Sequence, residues 1–178
     1  SLRSKAGEVE LREMIFAAAG LLSTVAFGAQ AAETTVNIAT DKGNVVGVLE
    51  TPEAAGAPVV LLLHGFTGTR DELPIAGTDE GVFSRTARLL AEAGYASLRI
   101  DLRGSGESEG AWEDATFSGQ IADAVATIDW LKARTDVDSS KLGIIGWSQG
   151  GLVGAHAAAQ REDDVDALVL WAPAVFPL

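Results

Sequence analysis

Short β-prone runs and helical stretches alternate along most of this chain, and that alternation limits the folds open to it. Val59 to Leu63 is a continuous apolar run bounded by Pro58 and by His64-Gly65, the pattern of a strand buried on both faces. Further strands are expected over Ala96 to Ile100, Leu142 to Ile145 and Ala167 to Trp171. Between them, Val82, Phe83, Thr86, Leu89, Leu90 and Ala93 share one helical face, with Gly94 placed to cap the helix. Phe117, Ile121, Ala124, Val125, Ile128 and Leu131 form a second stripe that starts near Thr116 or Ser118, and Gln149 to Gln160 reads as a third helix. Strand and helix in strict alternation predict a mostly parallel α/β sheet with helices on both faces. The sheet opens differently. Thr34 to Ile38 and Val45 to Leu49 are short β runs around Asp41-Lys42-Gly43-Asn44, which predicts an antiparallel hairpin.

Ahead of the hairpin, the apolar segment Ile15 to Phe27 follows Arg3, Lys5 and Arg12 and runs into Ala29-Gln30-Ala31, the small-x-small form of a signal-peptidase site. The expectation is a leader over residues 1–31, cleaved after Ala31, and a secreted or periplasmic product over 32–178. An uncleaved anchor reaching Ala32 is the alternative. Met14 sits where such a signal would begin, so residues 1–13 read as translated upstream sequence.

Composition narrows the chemistry. With 47% hydrophobic residues among 178, the chain can bury a core. It has no cysteine, hence neither disulfides nor a thiolate nucleophile, and only two histidines, His64 and His156, which makes a histidine-rich metal site a poor reading. A net charge of -12 would repel phosphate backbones and anionic lipid headgroups. No nucleic-acid partner, and no stable membrane partner once the leader is removed, is expected.

Gly146-Trp147-Ser148-Gln149-Gly150 matches G-x-S-x-G and lies between an expected strand and an expected helix. A sharp turn there would hold Ser148 in a strained conformation with its hydroxyl projecting from the carboxyl edge of the sheet, making it the candidate nucleophile. His64-Gly65-Phe66-Thr67-Gly68 follows the strand expected beside it. The backbone N–H groups of Phe66 and Gln149 are the candidate donors to the oxyanion formed in acyl transfer. A third loop, Asp101-Leu102-Arg103-Gly104-Ser105-Gly106-Glu107-Ser108, mimics a dinucleotide fingerprint, but Glu109 stands at the third glycine position and Gly110 comes one place late. It reads as a tight structural loop in which Asp101 and Arg103 bond to backbone or to each other.

These three motifs, H-G-F-T-G, D-x-R-G-x-G-x-S and G-W-S-Q-G-G, in this order, resemble the α/β-hydrolase superfamily. The nearest subgroups are the cinnamoyl and feruloyl esterases and related serine-aminopeptidase-like hydrolases. The resemblance covers roughly Val59 to Pro177. It implies an eight-stranded, mostly parallel sheet, a Ser-His-Asp triad, no cofactor and a small-molecule substrate. It also implies that this sequence stops after about the sixth strand, before the acid and histidine, which in this fold follow the serine. His156 lies eight residues after Ser148 in the helix, about 12 Å away at 1.5 Å per residue, and is expected to be buried along the helix. His64 is expected to bond to backbone, and Asp163, Asp164 and Asp166 to be solvated. Hydrolysis of a carboxylic ester is the leading reading. A peptidase on the same elbow and a non-catalytic truncated hydrolase-like protein are the others.

Overall fold

The structure is a computed structural model that describes residues 31–174, so all of the expected leader but its last residue, Ala31, lies outside the described residues. Six strands follow in the order β1 (Ala32–Thr40), β2 (Gly43–Thr51), β3 (Ala57–Leu63), β4 (Ala96–Ile100), β5 (Val137–Trp147) and β6 (Ala167–Trp171). Three helices intervene: α1 (Val82–Glu92) between β3 and β4, α2 (Phe117–Lys132) between β4 and β5, and α3 (Gln149–Gln160) between β5 and β6. The strands form one sheet in the order β1-β2-β4-β3-β5-β6. β1, β2 and β4 pair antiparallel, whereas β4, β3, β5 and β6 run parallel.

The hairpin register pairs Thr40 with Gly43 across the two-residue turn Asp41-Lys42. Gly43 holds φ 116°, a conformation that favours glycine, and a Cβ there would lie 2.4 Å from the Glu109 carboxylate. Both hairpin strands outrun their apolar cores, because backbone pairing continues through the alternating polar residues of β1. β5 is likewise longer than its apolar run. Pro58 pairs with Asp138 and Val59 with Leu142, so the polar segment 139–141 bulges out of the ladder before the buried part of the strand begins.

The parallel strands alternate their side chains between two packed faces. Val59, Leu61, Leu63, Leu98, Ile100, Leu142 and Ile144 meet Ile121, Ala124, Ile128 and Leu131 of α2 and Val153 and Ala157 of α3. On the other face Leu62 packs with Phe83 and Ala87 of α1, flanked by Val60, Ile145 and Trp147. The buried stripe of α1 is Phe83, Ala87 and Ala91, and the Leu89 expected within it is exposed. Small alanines at the contact let the helix axis approach the sheet and turn the bulkier leucine away. Thr116 caps α2 as expected, its hydroxyl accepting from Gly119 N–H at 3.1 Å, and Gly94 follows α1 at φ 86°. Phe117, expected in the α2 stripe, is exposed. All of β6 is exposed, and among the described residues it pairs only with β5.

Candidate active site

Ser148 stands between the last residue of β5 and the first of α3, with φ 49° and ψ -115°. Few L-residues adopt this backbone, and it persists only where surrounding structure fixes it. Here the fixing contacts can be named. A Cβ on Gly146 would lie 2.3 Å from the Gly150 carbonyl oxygen, and one on Gly150 would lie 2.1 Å from that of Leu63, so the turn closes only with glycine at both places. Ser148 N–H donates to the Trp171 carbonyl at 3.0 Å, and the Ser148 carbonyl accepts from Gly151 N–H at 3.1 Å and Ala174 N–H at 2.9 Å. Edge-on contact of the Trp147 and Trp171 rings, 4.9 Å between centroids, seals the same junction. The Ser148 side chain is half-buried, and among the described residues no group bonds its hydroxyl.

The β3 loop lies directly against this turn, as β3 and β5 are neighbours paired Leu63 to Gly146. A Cβ on Gly65 would meet Trp147 at 2.8 Å and Ser148 Cβ at 3.3 Å. Gly65 N–H donates to the Glu72 carboxylate at 2.6 Å, and Gly68 N–H to the Gly65 carbonyl at 3.1 Å, which curls the loop. Among the described residues, the backbone N–H groups of Phe66 and Gln149 have no protein acceptor. As the first residue of α3, Gln149 presents an amide that no helical carbonyl can satisfy, at the positive end of the helix dipole. Its side chain donates to Gln120 of α2 at 2.5 Å, bracing the turn from the other side.

His64 is buried, and both ring nitrogens are engaged by backbone. Nε2 accepts from Leu102 N–H at 3.0 Å, which leaves the proton on Nδ1, donated to the Gly65 carbonyl at 2.7 Å. Burial lowers its pKa, against a smaller opposing effect of the Gly65 hydrogen bond. It is a neutral tie between the β3 and β4 loops, as its position in the sequence led us to expect, with no lone pair left for Ser148. His156 is exposed rather than buried, because the sheet-facing side of α3 passes through Val153, Gly154 and Ala157. Its ring meets Phe117 edge-on at 5.6 Å.

Asp101 and Arg103 do not bond to each other. The Asp101 carboxylate accepts from the backbone N–H groups of Arg70 at 2.7 Å and Glu107 at 3.0 Å and from the Arg70 guanidinium at 2.5 Å, and a Cβ on Gly106 would intrude on it. Arg103 turns the other way, onto fully buried Asp123 of α2, with its backbone N–H at 3.0 Å and its guanidinium at 2.6 and 2.9 Å. The hydrogen bond to Asp123 raises the Arg103 pKa. Asp164 pairs with Lys132 at 3.0 Å, and Asp166 accepts Leu142 N–H at 2.9 Å, so neither is merely solvated. Sequence reasoning missed Glu72, Arg70 and Gln120, which act across loops and leave no periodic mark. It also missed Trp112, in a 3₁₀ turn Trp112–Asp114, whose ring stands 5.6 Å from that of Phe66.

Residues 58–178 match the family described as alpha/beta hydrolase fold. Among curated proteins, a lysophosphatidylserine lipase ABHD12 of Xenopus tropicalis is 34% identical over 119 residues, which cover 65% of this chain and 28% of that protein. An uncharacterized 31.7 kDa protein in the traX-finO intergenic region of Escherichia coli is 33% identical over 105 residues, or 59% of this chain and 34% of that protein. Among solved structures, ferulic acid-bound Est1E from Butyrivibrio proteoclasticus aligns with TM-score 0.69 at 30% identity, covering 78% of this chain and 52% of that one. The Pyrococcus furiosus esterase Pf2001 aligns with TM-score 0.68 at 26% identity, covering 80% and 52%. The chain thus spans about a third of these curated relatives and about half of these solved structures.

Proposed function

This chain belongs to the α/β-hydrolase family, and from that premise we propose that it carries the nucleophile and oxyanion hole of a carboxylic ester hydrolase. One observation bears most of the weight: Ser148 is held at φ 49° next to the β3 loop, and the backbone amides of Phe66 and Gln149 find no acceptor among the described residues. In this reading Ser148 Oγ attacks the ester carbonyl carbon as its proton passes to a general base. The former carbonyl oxygen takes up negative charge and accepts from the Phe66 and Gln149 N–H groups. Collapse of this intermediate breaks the bond to the alcohol, which leaves with the proton. Water then attacks the acyl-enzyme, releasing the acid and restoring Ser148.

Neither histidine suits the base, since His64 is spent on Leu102 and Gly65 and His156 faces solvent along α3. The reading therefore assigns the base, and the acid that orients it, to residues outside this sequence, in keeping with the share of its relatives that the chain spans. Ester rather than amide substrates are supported by the likeness to a lysophosphatidylserine lipase and to an esterase.

The test uses the full-length protein. A fluorophosphonate probe should label Ser148, and Ser148→Ala should lower turnover of 4-nitrophenyl acetate by several orders of magnitude while leaving the folding transition in place. Undiminished hydrolysis by the alanine variant would remove Ser148 from the reaction. Cleavage of aminoacyl 4-nitroanilides with no ester turnover would replace the ester class by a peptidase.

A further inference from the structure

A carboxylate lies inside the curl of the β3 loop. Glu72 Oε2 accepts Gly65 N–H at 2.6 Å, and a Cβ on Gly68 would lie 3.1 Å from the same oxygen and 3.3 Å from Oε1, so residues 65–68 wrap closely around it. The Glu72 backbone is held from the far side. The Asp71 carbonyl accepts Phe83 N–H at 3.0 Å and the Leu73 carbonyl accepts Val82 N–H at 2.9 Å, which pins both neighbours of Glu72 to the first turn of α1, where Phe83 is fully buried. Arg99 Nε of β4 donates to the Asp71 carboxylate at 2.9 Å and anchors the same stretch to the sheet.

Between these anchors Glu72 holds φ 59°, which a residue with a side chain keeps only where its surroundings fix it. Strain of this kind gathers around the Ser148 turn. Four non-glycine residues have positive φ among the described residues: Thr67 and Glu72 in this loop, Ser148 itself, and Ala172, which follows the Trp171 whose carbonyl accepts Ser148 N–H. Gly65 joins loop and turn, since a Cβ on it would lie 3.3 Å from Ser148 Cβ. It is held at both ends, its N–H by Glu72 and its carbonyl by His64 Nδ1 at 2.7 Å and Gly68 N–H at 3.1 Å. In a trans peptide the N–H points away from the C=O, so the direction of Phe66 N–H follows from how Gly65 is held.

We propose that Glu72 is a positioning residue for the oxyanion site, fixing the aim of Phe66 N–H by holding Gly65 N–H on the loop that touches Ser148. The proposal rests on the ester-hydrolase reading of Ser148 and adds to it a residue that lies outside all three sequence motifs. A hydrogen bond to a carboxylate is about twice as strong as one between neutral groups, so Glu72 restrains the loop more firmly than a backbone acceptor would. Donors held in advance act on charge that develops only in the transition state. Loosening them therefore lowers kcat more than it raises KM.

The test uses the full-length protein with 4-nitrophenyl acetate. Glu72→Gly deletes the carboxylate at a position whose φ glycine accepts, so the change adds no backbone strain. It should lower kcat by about 10- to 100-fold with KM held within about twofold. The inhibition constant of 2,2,2-trifluoroacetophenone, whose adduct on a serine carries an oxyanion, should rise about as far as kcat falls. Glu72→Gln keeps an acceptor of the same reach and should restore most of both. A kcat fall that Glu72→Gln leaves as deep would take the effect away from the hydrogen bond and overturn the proposal. A fall matched by loss of folded protein in circular dichroism would make Glu72 a structural residue only. Ser148-dependent hydrolysis with kcat unmoved by Glu72→Gly would sink the positioning role and leave the hydrolase reading standing, whereas full hydrolysis by Ser148→Ala would remove both.

Discussion

Replacing His64 by alanine separates a structural histidine from a catalytic one. The ring is buried and ties Leu102 N–H, at 3.0 Å, to the Gly65 carbonyl, at 2.7 Å. Its removal strands two buried backbone groups, each costing about 1–3 kcal/mol when unsatisfied. A water entering the vacated space would satisfy part of this, so the expected loss is about 2–4 kcal/mol, or roughly 4–16 °C in Tm for a domain of this size. Urea and thermal unfolding followed by circular dichroism measure it. The same tie predicts a pH signature. Burial depresses the His64 pKa in the folded state, so its stabilising contribution is complete above the unfolded value of about 6.5. As pH falls below that value the unfolded chain takes up the proton first, and stability drops by up to about 1.4 kcal/mol per pH unit until the folded pKa is reached. His64→Ala should lack this component. A variant as stable as the parent to within about 0.5 kcal/mol, but with ester hydrolysis abolished, would refute the reasoning and make His64 the base.

Two further predictions concern packing around the site. Gly150→Ala would force a Cβ to 2.1 Å from the Leu63 carbonyl, so a loss of about 3 kcal/mol with slower fluorophosphonate labelling is expected. Unchanged unfolding and labelling would show that the turn is not closed as described. Asp123→Ala should cost about 3–5 kcal/mol by leaving the Arg103 guanidinium short of its main partner, and Arg103→Met with Asp123→Leu should recover part of it. A double variant no more stable in urea than the single one would contradict this account.

The backbone framework was legible because its signals are local. The Ser148 turn announces itself by glycines at 146 and 150 between a β run and a helix, and the caps at Thr116 and Gly94 lie where polar and glycine residues interrupt the periodicity. Positions along α1 and α3 were read less well. Periodicity gives an apolar face but not which flank of it touches the sheet, so Leu89 and His156 proved exposed. The bracing of the site was hidden for another reason. Glu72 on Gly65, Arg70 on Asp101 and Trp112 beside Phe66 join separate loops, and no spacing encodes such contacts. Asp123 did leave a trace: with Gln120 and Thr127 it puts polar residues at three- and four-residue spacing within the buried side of α2, where each needs a partner.

The Ser148 backbone has a consequence for how the candidate site is assembled. Its strained φ is not secured by neighbours in sequence alone, since the bonds to Trp171 and Ala174 come from beyond the whole of α3. Until β6 is docked, the turn lacks two of the hydrogen bonds that hold this conformation, and its strain is opposed by fewer contacts. The posture of Ser148 thus depends on the docking of β6 as well as on the glycines of the turn itself. Chains stalled before that step could hold near-native helix and strand content and still fail to react.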